Sequence, residues 1–171
     1  GDVTLYSGTT NVRMDLGTND NIRQRFWMGT GSANLIVNGG STFSVDRSSG
    51  SYANKHLVFN NFTIGSSTLT SSSGSYVLEI FGGTNLTGTP LLNHTGGGLL
   101  LNGSINDGGS GQAIIKAGGG DLWLNSAASS FGGLYAGTIG AKGLGIVVNG
   151  GLLRFGDLNS ENATPMNLAA I

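Results

Sequence analysis

The stretch LIVNGG at residues 35–40 is matched position by position by IVVNGG at residues 146–151. A looser third copy, LLLNG, lies at residues 99–103. Each copy is a run of three apolar residues that ends at Asn-Gly, and these two residue types most readily adopt the left-handed backbone of a tight corner. Repeated corners joined to three-residue faces indicate a β-solenoid, in which a chain turns every few residues and stacks its coils.

Strand signals of the same kind continue along the chain at intervals of roughly 8–12 residues. Residues 12–16 alternate strictly between apolar and polar and end at Gly17, and residues 57–59 and 62–64 end at Asn60 and Gly65. Gly or Asn interrupts almost every window that could hold three helical turns. Only residues 162–171 could become helical, and they contain a proline. We therefore predict an all-β chain.

A β-sandwich is the main alternative, because Asn-Gly at a strand end is also the strongest hairpin signal. The apolar runs are only three to five residues long, and hairpins of that length bury little surface. In a solenoid the same Asn residues would stack on one another from coil to coil. The solenoid is therefore the favoured fold, with residues 1–171 as a single segment.

The composition restricts the function classes. Glycine makes up 32 of the 171 residues, about 19%, against an average of about 7%. Charged residues make up 10% of the chain, against a usual share of about 25%. A net charge of −1 gives no attraction to nucleic acid, and no apolar run approaches the ~18 residues of a membrane span. The chain has no cysteine, which fits a bacterial surface protein that relies on long sheets and fits a cytosolic protein as well. Disorder is disfavoured because the apolar residues alternate with polar ones. Collagen is excluded because the glycines have no three-residue period and the chain has only two prolines.

Residues 114–155 resemble the autotransporter passenger-associated β-strand repeat, whose unit begins Lys-x-Gly-x-Gly-x-Leu-x-Leu and ends x-Gly-x-Leu. The clearest repeat unit spans residues 114–156, and residues 134–145 depart from the pattern as an insertion of roughly a dozen residues. The matched positions are Lys116, Gly118, Gly120, Leu122, Leu124, Phe131, Gly132, Gly133, Val147, Val148, Gly150 and Leu152. The resemblance implies a right-handed parallel β-helix that is secreted or displayed on the surface of a Gram-negative-type bacterium. In such a coil Leu122 and Leu124 would point inward and Trp123 outward.

Bacterial β-helices also include enzymes that act on polysaccharides, as lyases or hydrolases. Glycoside hydrolysis uses two carboxylates about 5–10 Å apart. No two acidic residues lie side by side or at i, i+2, although Asp107 and Asp121 could meet from successive coils. The nine acidic residues are expected to be solvated turn carboxylates, and His56 and His94 surface polar residues. We therefore predict no catalytic, cofactor-binding or metal-binding residue and no cofactor, with a polysaccharide-acting enzyme as the alternative function.

The segment Arg23–Met28 is the one unusual cluster, with two arginines beside two large aromatic residues. It could contact a carbohydrate or a partner, because Trp and Arg are frequent in binding hot spots. The favoured interpretation is a plug for an end coil, with Phe26 or Trp27 in the core. No amphipathic cap is visible at either end, so we expect the solenoid to continue in a longer chain or to stack end to end on other copies. The predicted function is a structural extracellular stalk or adhesin segment, or a filament subunit, with possible contacts to carbohydrate or a host surface.

Overall fold

A computed structural model describes residues 1–14, 23–47, 55–74, 76–125, 129 and 145–155. Within these ranges the chain forms seventeen short strands and no helix. The strands are β1 (Val3–Leu5), β2 (Gly8–Met14), β3 (Gln24–Trp27), β4 (Leu35–Val37), β5 (Ser41–Arg47), β6 (Lys55–Phe59), β7 (Phe62–Ile64), β8 (Thr68–Ser73), β9 (Val77–Ile80), β10 (Thr84–Leu86), β11 (Leu91–His94), β12 (Gly98–Leu101), β13 (Ile105–Asn106), β14 (Ile114–Ala117), β15 (Asp121–Leu124), β16 (Ile146–Val148) and β17 (Leu152–Phe155). The all-β prediction is confirmed for the described residues.

The strands form three parallel sheets. Sheet 1 has the order β1-β4-β7-β10-β13, sheet 2 the order β2-β5-β8-β11-β14-β16, and sheet 3 the order β3-β6-β9-β12-β15-β17. Up to β15, every third strand along the chain returns to the same sheet, so each coil contributes one strand to each of three faces. Hairpins would give antiparallel pairs, whereas all the pairings between described strands are parallel. The β-solenoid is therefore favoured over the sandwich.

The core is a set of apolar columns that run along the stack. In sheet 3, Leu57 pairs with Leu78, Leu78 with Leu99 and Leu99 with Leu122, and all four side chains are buried. Identical side chains in register fill the same part of the interior in each coil, which is how a chain with few apolar residues builds a continuous core. Leu122 and Leu124 are buried and Trp123 is partly exposed, as the alternation predicts.

The three similar corners do not occupy equivalent positions. Residues 35–37 form β4 in sheet 1, residues 99–101 belong to β12 in sheet 3, and residues 146–148 form β16 in sheet 2. The pattern of a short apolar run followed by Asn-Gly specifies one corner, and every coil needs a corner after each of its strands. Local similarity therefore identifies corners but not the coil repeat.

Coil length is irregular. Leu57, Leu78 and Leu99 follow at intervals of 21 residues, whereas Gly8 and its partner Ser41 are 33 residues apart. The parallel register of the described strands is unbroken despite these differences in coil length. The expected insertion at residues 134–145 and the possible helix at residues 162–171 lie outside the described residues.

Asparagine side chains bond from coil to coil, as the sequence predicts. Asn61 donates from its backbone N–H and its Nδ2 to Oδ1 of Asn34, each at 3.0 Å, and its own Oδ1 accepts from the N–H of Gly83 at 2.9 Å. In a second ladder Asn125 Nδ2 donates to Asn102 Oδ1 at 2.5 Å. These bonds satisfy corner amides that the strands themselves leave unpaired.

Candidate functional site

The outward face of sheet 3 is covered as well as its inward face. His56, Val58, Glu79 and Leu100 occupy the outward positions of β6, β9 and β12, yet each side chain is 0% exposed. A sheet buried on both faces has continuous apolar runs rather than an apolar–polar alternation. Leu57–Phe59 and Leu99–Leu101 are such runs, and they are the sequence signal for this burial.

Glu79 is the centre of a buried polar cluster on this face, which we call the Glu79 cluster: Arg23, Arg25, His56, Glu79 and Asn102. Arg25 donates to both carboxylate oxygens, from Nη2 to Oε1 at 2.6 Å and from Nε to Oε2 at 3.1 Å. His56 Nδ1 lies 2.6 Å from Oε2. Arg23 Nη2 and Asn102 Nδ2 donate to Oε1 at 3.2 and 3.1 Å. Each oxygen thus has at least two partners, which is what a carboxylate without solvent contact requires.

The electrostatics of the Glu79 cluster favour the ionised carboxylate. Burial by itself raises the pKa of Glu79, but the hydrogen bonds from His56 and Arg25 and the nearby positive charges outweigh it, and the pKa falls from 4.5 to about 2. The predictions of a solvated Glu79 and a surface His56 are therefore wrong. The parallel pairing of β6 with β9 places His56 opposite Val77, diagonally next to Glu79. No local feature of the sequence reveals the contact between His56 and Glu79.

The arginine–aromatic segment Arg23–Met28 lies along the same outward face. The rings of Trp27 and Phe81 meet edge to face with their centroids 5.0 Å apart, and the Arg25 guanidinium lies 5.1 Å from the centroid of Phe81. Phe26 is 44% exposed, while Met28 packs against the core. Trp27 is not a core plug, because it points outward with Arg25, whereas Phe26 is in register with the buried Leu57 at an inward position of this end coil but stays half-exposed.

A second polar cluster lies inside the solenoid, and we call it the inner cluster: Ser71, His94 and Lys116. All three side chains are buried, and Ser71 Oγ and His94 Nδ1 share a hydrogen bond. Lys116 Nζ donates to the carbonyl oxygens of Ala117 at 2.7 Å, Gly118 at 3.0 Å and Gly150 at 2.9 Å. The lysine therefore joins the corner between β14 and β15 to the corner of the next coil.

Burial lowers the pKa of both titratable residues of the inner cluster, His94 and Lys116. Burial lowers the pKa of His94 and the neighbouring Lys116 charge lowers it further, from 6.5 to about 4. Burial also lowers the pKa of Lys116 from 10.5. His94 is thus a neutral core histidine rather than the surface residue that the sequence suggested.

Two of the three glycines of the Lys116–Gly120 segment are required by this packing. Gly118 has a φ of 75°, and a Cβ at this position would overlap the carbonyl oxygen of His94. A Cβ on Gly120 would lie 2.5 Å from Cδ2 of the His94 ring. Gly119, between them, has open space at its Cβ position. The Lys-x-Gly-x-Gly spacing therefore has a structural role in this chain, which is to seat a lysine and a histidine under one corner.

The carboxylates proposed to meet from successive coils have separate partners. Asp107 is buried and shapes a turn, with Oδ1 accepting from the N–H of Gly109 and Oδ2 from that of Gln112, both at 2.8 Å. Asp121 Oδ2 accepts from Arg154 Nε at 2.7 Å. Asp107 is thus a turn carboxylate as expected, but a buried one.

Two shallow clefts lie on the part of the chain that the structure describes. One, of about 370 Å³, is lined by Trp27, Gly29, Thr30 and Gly31. Another, of about 280 Å³, crosses the outward face of sheet 2 and is lined by Ser44, Asp46, Ser72, Gly74, Thr95 and Gly96. Among the residues that the structure describes, no three His, Cys, Asp or Glu side chains gather in a way that could hold a metal ion. Nor does this part of the chain contain a helix long and apolar enough to cross a membrane.

Comparison with known protein families, curated proteins and solved structures finds no match to this chain.

Proposed function

We propose that the chain is a structural segment of an extracellular, right-handed parallel β-helix on a bacterial surface, acting as a stalk or adhesin segment or as a self-stacking filament subunit. The observation that carries the proposal is the Glu79 cluster. Its members come from four successive coils: Arg23 and Arg25 from the first, His56 from the second, Glu79 from the third and Asn102 from the fourth.

Charged groups that could perform chemistry are engaged here in holding coils together. Removing one partner of a buried ion pair leaves an uncompensated charge, so such a cluster resists separation of the coils it joins. Lys116 has the same effect nearer the other end of the stack, where it links β14 to the coil that holds β16. A fold whose buried charges link successive coils along one axis suits a mechanical role.

The alternative, a polysaccharide-acting enzyme, would need an acid and a base that reach the substrate. Glu79 and His56 form the closest acid–base contact, and both side chains are 0% exposed. Retaining or inverting glycoside hydrolysis requires carboxyl groups that flank a bound sugar. The structural role is therefore the better supported of the two.

Electron microscopy of the purified chain, together with a depolymerisation assay on uronate polymers, tests the proposal. We expect rods or filaments whose diffraction shows a repeat of about 4.8 Å along the axis, with no release of sugar. Globular particles without such a repeat would contradict the structural role. Sugar release that is abolished in Glu79→Gln under conditions where circular dichroism shows this variant folded, but retained in Asp121→Asn, would instead establish the enzyme.

A further inference from the structure

Large exposed apolar side chains are concentrated in the first and last coils. Five are exposed among the described residues, and Phe81 alone of these lies in the middle of the stack. Tyr6 and Phe26 belong to the first coil at 71% and 44% exposure, and Val148 and Leu152 to the last at 46% and 53%. Exposed apolar groups that are gathered in one place, rather than scattered singly, indicate a contact surface.

Both of these coils also present strand edges. Among the described strands, β3 pairs only with β6 and β17 only with β15, and in sheet 2 β2 pairs only with β5 and β16 only with β14. The other side of each such strand has no neighbour among the described strands, and a strand edge of this kind can pair with a further parallel strand. Edge and apolar surface thus occur together at both ends of the stack.

The register of the columns determines which residues would meet if the stack continued. In sheet 3 one outward column runs from Trp27 to Arg154, and the adjacent inward column runs from Phe26 to Leu153. In sheet 2 a column runs from Gly8 to Val148. We propose that a second copy of the chain stacks head to tail in this same register, which places Arg154 on Trp27, Leu153 on Phe26 and Val148 on Gly8 of that copy. This inference rests on the self-stacking form of the proposed function.

Arg154 is already held in a position from which it could contact a second aromatic ring. Its guanidinium lies 5.0 Å from the centroid of the Trp123 ring and its Nε donates to Asp121, while the side chain is 44% exposed. A planar guanidinium can stack on an aromatic ring with each of its two faces. Trp27 of the second copy would take the free face, so that Arg154 lies between two indole rings.

The first coil has room for these side chains. The cleft beside Trp27 is open and lined otherwise by Gly29, Thr30 and Gly31. Gly8 has open space at its Cβ position, where Val148 would sit. Because the two joined surfaces differ, the contact is heterologous, and because each copy continues the stack along the same axis, the repeated contact gives an open filament rather than a ring.

A disulfide placed across the joint tests the register, since the chain has no cysteine of its own. Phe26 and Leu153 are five strand spacings apart in one molecule, about 24 Å, whereas a disulfide joins Cα atoms about 4.4–6.8 Å apart. In Phe26→Cys/Leu153→Cys a bond can therefore form only between copies. We expect mild oxidation to give a ladder of covalent multimers on a non-reducing gel.

The matched control is Phe26→Cys/Leu152→Cys, in which the second cysteine is one residue out of register and faces outward. We expect it to give at least about tenfold less multimer, because a one-residue shift reverses the direction of the side chain. Circular dichroism and sedimentation under reducing conditions verify that both variants fold and assemble like the parent. Filaments that cross-link equally in both variants would overturn the proposed joint while leaving self-stacking intact. A parent chain that stays monomeric at every concentration would overturn self-stacking itself, and the joint with it.

Discussion

Glu79 is the residue on which the outward face of sheet 3 depends. Its two oxygens bind groups from three other coils, and its side chain has no contact with solvent. A carboxylate in such a place is stable only while its partners are present. The cluster therefore acts as one unit.

Glu79→Gln tests this dependence. The substitution keeps the shape of the side chain but removes the carboxylate charge that Arg23, Arg25 and His56 contact. We expect a loss of about 3 kcal/mol in the free energy of unfolding, measured by chemical denaturation. Asp121→Asn is the control, because the Asp121–Arg154 pair is partly exposed and should lose less than about 1 kcal/mol. Equal losses in the two variants would contradict the role assigned to the Glu79 cluster.

Acid should destabilise the fold in two stages. His94 has a pKa of about 4 in the folded chain against 6.5 unfolded, so its contribution is complete above pH 6.5 and is lost as the pH falls toward 4. Glu79 has a pKa of about 2 against 4.5, so its contribution is lost between pH 4.5 and 2. We expect a decrease on the order of 3 kcal/mol from each group.

His94→Gln separates the two stages. This variant should show a nearly flat free energy of unfolding between pH 6.5 and 4.5, and the parent a decline, when both are followed by urea denaturation at each pH. A parallel decline in the two proteins would exclude His94 as the cause.

Little of this residue-scale chemistry could be predicted from the sequence. His56 and Glu79 are 23 residues apart, and Arg25 and Glu79 are 54 residues apart. Their contact depends on the lengths of the intervening corners, which set which strand lies beside which. The inward direction of Leu122 and Leu124 could be predicted, because it depends only on alternation within one strand.

The element that best shows how the sequence specifies the fold is the corner between β14 and β15. Lys116 bonds three carbonyl oxygens there, and Gly118 and Gly120 leave space for the backbone and ring of His94. A single short segment thus contains the strand end, the turn and the contact with its neighbouring coils. The existence of such corners was predictable, but their assignment to a particular face was not, since all three faces use the same turn chemistry.

Gly118→Ala tests this corner. The alanine would have to adopt the left-handed backbone of this position, and its Cβ would overlap the His94 carbonyl oxygen. We therefore expect a loss of about 3 kcal/mol in the free energy of unfolding. Gly119→Ala is the matched control, because its Cβ position is open, and it should change stability by less than about 0.5 kcal/mol. Thermal and chemical unfolding of the two variants would measure the difference. A tolerant Gly118 would show that the corner is not built as described.

At the scale of the whole molecule, the fold is a stack of coils, and all neighbouring strands among the described residues are parallel. Short strands with few apolar residues suffice because each column repeats from coil to coil, and each coil contacts mainly the coils above and below it. The composition and the spacing of apolar runs predict a stack of short strands. They do not predict the number of residues per coil, because loops of different length join the same three faces.

Spin labels on one outward column of sheet 1 measure the parallel stacking directly. Thr4, Ile36, Thr63, Asn85 and Asn106 follow one another in register along this column. With Thr4→Cys as the fixed site, labels at Thr63→Cys, Asn85→Cys and Asn106→Cys lie two, three and four strand spacings away. The solenoid predicts backbone separations of about 10, 14 and 19 Å, rising by one spacing per coil. Distances that do not increase in this order, as in a sandwich of antiparallel hairpins, would contradict the parallel stack.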